Sequence, residues 1–528
     1  MTALAILLLV AALGLGLARW LRLPAPPVMI CGGLGISMLG LIPAKDSVFN
    51  VLELGLTFLV FAAGVELNPR RFAEQRRAAF WVAAIHFTLI GLTGFFVARL
   101  LGFAPLAAVY LALAVSASST LVVFRELRRR QQTYEPFARV VVGVQLIQDL
   151  LMMVVLVVLA SWTRGASAVG TALGGAAALG ALALVGQRWV LPWLLIRRRP
   201  NEETLLLTVL ATLFLFLGAA AALGLPAVVG AFPAGFALSA FPLSGVVRGQ
   251  LTTLSDFFGA IFFTALGAIL VMPGAVLLLK ALALAALVLL CTPLIVAIVA
   301  ERCGLSSRAA IESGLLLAQT SEFSLIVGLT GVHMGQIGPD VFSVIATLAV
   351  VTMMLTPFAA TERVTRWLLH LHPVRRRLRT DGATRDHVLL LGFGTAGMWV
   401  VKPLRAAGHQ VLVVDDDPVV IDQLRSAGIP CMPGDGADEK TLERAGARNA
   451  KLVIVSMRRV QDAATVLSLA PGVPVVIRVF ESSDAGRIAE LGGTAILNSN
   501  AAVEAFMEWF EKSGKIVPAR TAAGLAKS

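Results

Sequence analysis

From the N-terminus to about residue 360, apolar runs of about 17 to 25 residues recur, the length a helix needs to cross a bilayer. About thirteen can be marked, near 2–18, 26–43, 49–67, 79–98, 104–124, 140–161, 168–186, 204–224, 226–242, 257–272, 274–299, 309–332 and 339–360. The pattern predicts a polytopic α-helical membrane protein. Charged residues are only 14% of the chain, against roughly a quarter in soluble proteins. An ordinary soluble enzyme, a disordered chain and a disulfide scaffold are thereby excluded. Met1 to Trp20 looks like a signal peptide but has no basic start and no small-residue cleavage site, so it is read as the first span. Cys31, Cys291, Cys303 and Cys431 form neither a metal motif nor a disulfide pattern.

Lys and Arg outnumber Asp and Glu by 44 to 32, a net charge of +12. In a soluble protein this would suggest nucleic acid; in a membrane protein it marks cytoplasmic loops. With the N-terminus outside, the inner loops hold Arg19 and Arg22; Arg70, Arg71, Arg76 and Arg77; Arg125, Arg128, Arg129 and Arg130; and Arg188, Arg197, Arg198 and Arg199. Arg248, Arg302 and Arg308 continue the series, while the outer loops hold little beyond Lys45, Arg99 and Arg164. The odd number of spans then puts the C-terminal part in the cytoplasm. No nucleic-acid partner is expected.

An internal repeat runs through the spans. Leu23, Pro24 and Ala25 match Leu225, Pro226 and Ala227, and Gly33 and Ser37 match Gly235 and Ser239, all by a step of 202. Gly64 and Leu67 match Gly267 and Leu270, and Ser118 matches Ser321, by a step of 203. Spans 1–6 thus repeat as 8–13, and a displacement of seven spans inverts the second copy. Inverted repeats with broken helices are a mark of secondary transporters. The breaks are expected at Ser116 to Thr120 and at Gln319 to Glu322, where small polar side chains can satisfy freed backbone groups. The plainer alternative is hydroxyls bonded back to carbonyls of unbroken helices.

A charge within a span costs roughly 2.5–3.5 kcal/mol, so each needs a reason. Asp149 lies near the middle of the sixth run, after Gln145 and Gln148. Desolvation penalises its ionised form. Such a carboxylate can hold an alkali cation (potassium or sodium) or a proton, which suffices chemically for exchange. The alternative is permanent pairing with a Lys or Arg. Lys280 is the candidate partner, unless it snorkels to the outer interface. Glu322 adjoins the second break and is placed near the pathway. Glu66 ends the third run and can be a solvated helix end, and His86 is read as a hydrogen-bonded core residue.

The motifs resemble a known family. Leu23 to Gly33, Phe61 to Leu67, Gln148-Asp149, Gly230 to Gly235, Phe262-Phe263, Lys280 and Gln319 to Phe323 resemble the monovalent cation:proton antiporter-2 family, nearest its Kef-type potassium:proton branch. The resemblance implies a homodimer with a scaffold and a mobile core, Asp149 as ion and proton carrier, Lys280 as its partner, and Ser119 and Thr120 beside the site. Gln148 in place of a second acid implies electroneutral exchange and favours potassium. Pro233 departs from the family pattern, where an aliphatic residue is commoner.

Past residue 361 the composition changes. Residues 1–361 read as the membrane domain, 362–385 as a basic linker, 386–515 as a cytoplasmic α/β Rossmann-like domain and 516–528 as a polar tail. The linker carries Arg363, Arg366, Arg375, Arg376, Arg377 and Arg379. It can touch anionic lipid or simply mark topology. A strand from His387 to Leu391 enters the turn Gly392, Gly394, Thr395, Gly397, then a helix, and a second strand ends in Asp415. Together these are the fingerprint of a dinucleotide site, with glycines near a pyrophosphate and the acid on a ribose. The alternative is the fold without a ligand. Asp415, Asp416, Asp435 and Arg478 resemble the nucleotide-binding half of the domain that regulates potassium conductance. That implies a regulatory nucleotide, NAD(H) or AMP/ATP, and leaves room for an ancillary regulatory subunit.

The reading is a proton-coupled monovalent cation antiporter of the bacterial inner membrane, exporting potassium under nucleotide control. The alternatives are a nucleotide-gated potassium channel, a sodium:proton antiporter and a membrane-anchored dehydrogenase. A TVGYG-like filter is not found in the sequence, and a second substrate domain is not evident.

Overall fold

The structure is a computed structural model that describes residues 2–497, apart from 22, 41–44, 67–75, 131, 133–135, 194–201, 240–242, 372–385, 394–396, 457–459 and 480–481. Leu67, Arg70, Arg71, Arg197, Arg198, Arg199, Arg375, Arg376, Arg377, Arg379, Gly394, Thr395 and the tail 516–528 lie outside the described residues. The chain divides into a helical unit, Met1–Leu305 with Ala309–Thr365, and a second unit, Ser306–Arg308 with Arg366–Ser528.

The first half of the helical unit runs α1 (Thr2–Leu21), α2 (Ala25–Met38), α3 (Lys45–Glu66), α4 (Arg76–Leu100), α5 (Pro105–Ser116), α6 (Thr120–Arg129), α7 (Pro136–Trp162) and α8 (Ala166–Val185). It continues with α9 (Glu202–Ala222), α10 (Ala227–Ala237), α11 (Leu243–Ile269), α12 (Ala275–Arg302), α13 (Ser307–Leu317), α14 (Glu322–His333), α15 (Pro339–Ala359) and α16 (Glu362–Leu371). Each apolar run is traced by one helix, or by a pair where it breaks. Among the described residues, nine helical segments are long and apolar enough to cross a membrane, and three shorter apolar helices accompany them. This is a multi-pass membrane protein. The start of the stretch read as a linker is itself helical, as α16.

The repeat is visible as backbone contact. A Cβ on Gly33 of α2 would fall 2.0 Å from the Thr264 carbonyl of α11, and one on Gly267 would fall 2.0 Å from that of Ile30. Gly64 of α3 and Gly235 of α10 meet in the same way, with 2.3 Å to Phe232 O and 2.0 Å to Phe61 O. Any side chain at these positions would force the helices apart. The matched glycines therefore face each other in swapped pairs. The second helix of each copy packs on the third of the other. Around these contacts, α1, α2, α3, α9, α10 and α11 form one packing group, while α4, α5, α7, α12, α14 and α15 form another. Pro233 lies inside the short α10.

The second unit begins with β1 (Val388–Leu391), α17 (Gly397–Ala406), β2 (Val411–Asp415), α18 (Pro418–Ser426), β3 (Cys431–Pro433) and α19 (Glu439–Arg444). It ends with β4 (Leu452–Val455), α20 (Val460–Leu469), β5 (Val475–Val479), α21 (Ser482–Glu490) and β6 (Thr494–Leu497). All strands are parallel in the order β3-β2-β1-β4-β5-β6, the doubly wound arrangement. β1 is apolar throughout and β2 is apolar up to its terminal Asp415, and both are buried, as a sheet covered on both faces requires. The order reverses between β1 and β4. Carboxyl strand ends beside such a reversal are where ligands bind.

Candidate functional site

Two broken helices meet in the membrane unit. After α5 the chain is extended at Ala117 and Ser119 before α6 begins. After α13 it is irregular from Ala318 to Ser321 before α14 begins. Each new helix opens on a serine cap: Ser119 Oγ accepts from Val122 N at 3.2 Å, and Ser321 Oγ accepts from Phe323 N at 3.1 Å. The breaks are tied together. Ser118 Oγ donates to Leu317 O at 2.7 Å, Ser324 Oγ donates to Ala114 O at 2.9 Å, and Ser119 Oγ donates to Glu322 Oε1.

Asp149 of α7 reaches this crossing. Thr120 Oγ1 donates to its Oδ2 at 3.2 Å, and the residue is 1% exposed. Its Oδ1 is buried without a hydrogen-bond partner among the described residues, as are Oε1 of Gln145 and Oε1 of Gln319. Both glutamine amides donate to one carbonyl, Ser119 O, at 2.7 and 3.5 Å. Their unpaired oxygens therefore lie by the first break. Hard oxygen donors of this kind suit an alkali cation. Glu322 and Glu66 both act electrostatically on Asp149, and Arg125 acts on Glu322.

Gln148 plays a different part. Its Oε1 accepts from Ser118 N at 3.2 Å, satisfying a backbone group freed by the break. Its Nε2 lies 2.7 Å from His86 Nδ1, and His86 Nε2 lies 3.2 Å from Thr292 Oγ1. With Gln148 as donor, His86 accepts at Nδ1 and carries its proton at Nε2. This chain runs from α12 through α4 to the break and holds the amide beside Asp149 in one orientation.

At the carboxyl end of the α/β sheet, Gly392 follows β1 with φ +79°. This left-handed turn favours glycine. A Cβ on Gly397, at the start of α17, would come 2.4 Å from Phe393 Cδ2. Asp415 ends β2 and braces the turn: Oδ2 accepts from Phe393 N at 2.7 Å and Oδ1 from Asp417 N at 2.9 Å. Burial, and then the charge of Asp416, push its carboxyl up to about 7 against those two bonds. Asp416 is half-buried just beyond β2. Asp435 follows β3 and accepts from Ala437 N at 2.9 Å, and Arg478 lies in β5, half-buried. The turn, the helix start and an acid with spare lone pairs fit a nucleotide's pyrophosphate and ribose.

Over residues 5–362 the chain matches the family described as "Sodium/hydrogen exchanger, transmembrane". It belongs to that exchanger family. Residues 388–499 match the TrkA-N domain. The exchanger is 24% identical over 478 residues to YbaL of Escherichia coli (strain K12), which bears a provisional cation/proton antiporter name, with 85% of each chain covered. It is 27% identical over 433 residues to the glutathione-regulated potassium-efflux system protein KefC of Salmonella arizonae, covering 79% of this chain and 68% of that one. Its fold is similar to that of the sodium proton antiporter MjNhaP1 of Methanocaldococcus jannaschii, at TM-score 0.52 and 18% identity, over 68% of this chain and 96% of that one.

Among the expected site residues of the exchanger, Asp149, Gln148, Ser119, Thr120 and Glu322 converge, but Lys280 does not. Its Nζ stands 4.8 Å from the centroid of the Phe103 ring, early in α12. The match of Ser118 to Ser321 is also corrected by one residue. The two caps are Ser119 and Ser321, a step of 202. Gln145 and Gln319 were not expected as site residues. Gln145 lies one helical turn before Asp149, a spacing that puts both on one face.

Proposed function

We propose that this exchanger swaps potassium for protons one for one, exports potassium across a bacterial inner membrane, and is gated by a nucleotide at its TrkA-N domain. The observation that carries the reading is Asp149, a buried carboxylate beside two crossed helix breaks with one oxygen free of hydrogen bonds among the described residues. Ionised, it holds a cation with the oxygens of Gln145 and Gln319. Protonated, it releases that cation. A single carboxylate that carries either one monovalent cation or one proton makes the exchange electroneutral. Gln148 is a neutral amide and adds no second charge, and its oxygen is already committed to Ser118 N. The names of the YbaL and KefC relatives support cation/proton antiport and potassium efflux.

The basic inner loops support an external N-terminus and a cytoplasmic TrkA-N domain. Gly392, Gly397 and Asp415 would hold the nucleotide's phosphates and ribose, and Gly394 and Thr395 of the same sequence fingerprint are proposed to act with them. Asp416, Asp435 and Arg478 stand near the strand ends for further contacts. NAD(H) and AMP/ATP are the candidate ligands, a homodimer is the expected assembly, and an ancillary regulatory subunit is a further candidate partner.

The test is transport in proteoliposomes under an imposed pH gradient, read as dequenching on adding potassium or sodium. Potassium-driven dequenching that is lost in Asp149→Asn supports the reading. Dequenching by sodium alone would make the protein a sodium:proton antiporter, as the family description suggests. Unchanged exchange by Asp149→Asn would overturn the mechanism.

A further inference from the structure

Three arginines line one cavity of the membrane unit, which has a volume of about 680 Å³. Its wall is drawn from α1, α2, α3 and α11 of one packing group, from α15 of the other, and from α6, which packs on α7 of that other group. Arg19 comes from the last turn of α1, and Arg125 and Arg129 come from α6. Two acids, Glu126 and Asp256, share the wall.

These charges do not cancel. Glu126 Oε1 is taken by two guanidinium groups, Arg129 Nη2 at 2.8 Å and Arg130 Nε at 2.6 Å. Among the described residues, Arg19, Arg125 and Asp256 make no hydrogen bond and no ion pair. Arg125 acts on Glu322 only at longer range. With Asp256 ionised, the cavity therefore keeps a surplus of positive charge. That surplus repels a cation and attracts an anion.

Most of the remaining wall is apolar, with Leu15, Met29, Leu59, Leu121 and Phe263 in it. A free inorganic anion would leave this surface against water, which is unfavourable. An anionic phospholipid answers both parts of the wall. Its phosphate accepts charge-assisted hydrogen bonds from guanidinium groups, and its acyl chain covers apolar side chains. Arg19, Arg125 and Arg129 also belong to the loops read as cytoplasmic, and basic pockets between helices on that face take anionic headgroups.

We propose that this cavity binds one anionic phospholipid, with Arg19 and Arg125 on its phosphate and its acyl chain along Met29 and Phe263. Because the wall is drawn from both helix groups, the bound lipid ties them together in this arrangement. The site is separate from the ion site and stands whether or not the antiport reading holds.

The test is thermal unfolding of the full chain in detergent, with phosphatidylglycerol, phosphatidylcholine or inorganic phosphate added. Phosphatidylglycerol alone is expected to raise the unfolding midpoint, by about 2–4 °C. In a variant carrying Arg19→Gln and Arg125→Gln together, that shift is expected to fall below about 1 °C. Comparing each protein with and without lipid removes the effect of the substitutions on stability itself. No shift with phosphatidylglycerol overturns the proposal. An equal shift with phosphatidylcholine makes the cavity a plain lipid crevice, and an equal shift with inorganic phosphate makes it a free-anion site; either overturns it. So does a full shift in the double variant, which moves the effect to another basic surface. A second arm needs no variant. Phosphatidylglycerol with a photoreactive diazirine in its acyl chain is irradiated with the wild-type chain, and adducts are mapped by peptide mass spectrometry. Adducts on the peptides of Met29 or Phe263 are expected, and adducts confined to helices that do not line the cavity overturn the proposal.

Discussion

At the first helix break, the Ser118 N–H goes to Gln148 and the Thr120 hydroxyl goes to Asp149. At the second, the Thr320 N–H and hydroxyl both meet Thr352 Oγ1, each at 3.2 Å. Thr352 stands 203 residues after Asp149, so the repeat puts a hydroxyl where the first copy has a carboxylate. Both breaks solve the same backbone problem, with a serine cap and a side-chain acceptor for a freed N–H. The long helix packed on the break supplies an acid, Asp149, to the first and a hydroxyl, Thr352, to the second. The shared parts hold the fold, and the place where the copies diverge holds the chemistry.

The comparison can be broken most directly at its divergent position. Asp149→Asn is expected to lower exchange at least about 100-fold, to the vesicle background, because the amide neither takes up the proton nor balances a cation. Thr352→Val keeps the shape and loses the acceptor. It is expected to keep exchange within about threefold while costing about 1–3 kcal/mol of stability for the orphaned Thr320 N–H. Thermal unfolding of the purified protein beside vesicle transport separates the two. Equal loss of transport in both variants would end the distinction between scaffold and chemistry.

The shared part is tested at the glycines. Gly235→Ala puts a Cβ 2.0 Å from the Phe61 carbonyl and is expected to cost about 1–3 kcal/mol or more. Gly35→Ala has nothing within 4 Å and is expected to be neutral or to stabilise α2 by up to about 1 kcal/mol. Thermal unfolding of both proteins reads the contrast.

The smallest effect is expected in the TrkA-N domain. The Asp415 carboxyl, pushed up to about 7, holds its proton below that pH, whereas ribose hydroxyls donate best to its ionised form. Nucleotide binding to the full chain should therefore release a proton and tighten as pH rises to about 7, by at most about tenfold per unit, then level off. Because the folded value exceeds the ordinary one, the ligand-free domain should lose stability over the same rise, from about pH 4 to about pH 7. Asp415→Asn should flatten both profiles in titration calorimetry and thermal unfolding.

Much of this was legible in the chain itself. Thirteen apolar runs, the steps of 202 and 203, the two polar breaks and the glycine turn before Asp415 are all local or periodic signals. Each follows from backbone hydrogen bonding in lipid or from the repeat of a strand and helix. Side-chain partnership is another matter, because it depends on which faces meet. Lys280 looked like a partner for Asp149 because both are charges in spans, yet α12 carries it to Phe103. Gln148 looked like a site ligand, but α4 brings His86 against it and the first break takes its oxygen. The swapped glycine pairs needed the packing of one copy on the other. The glycine spacing was in the sequence from the start, but its reason, a carbonyl of the other copy standing where any Cβ would go, appears only when the two backbones meet.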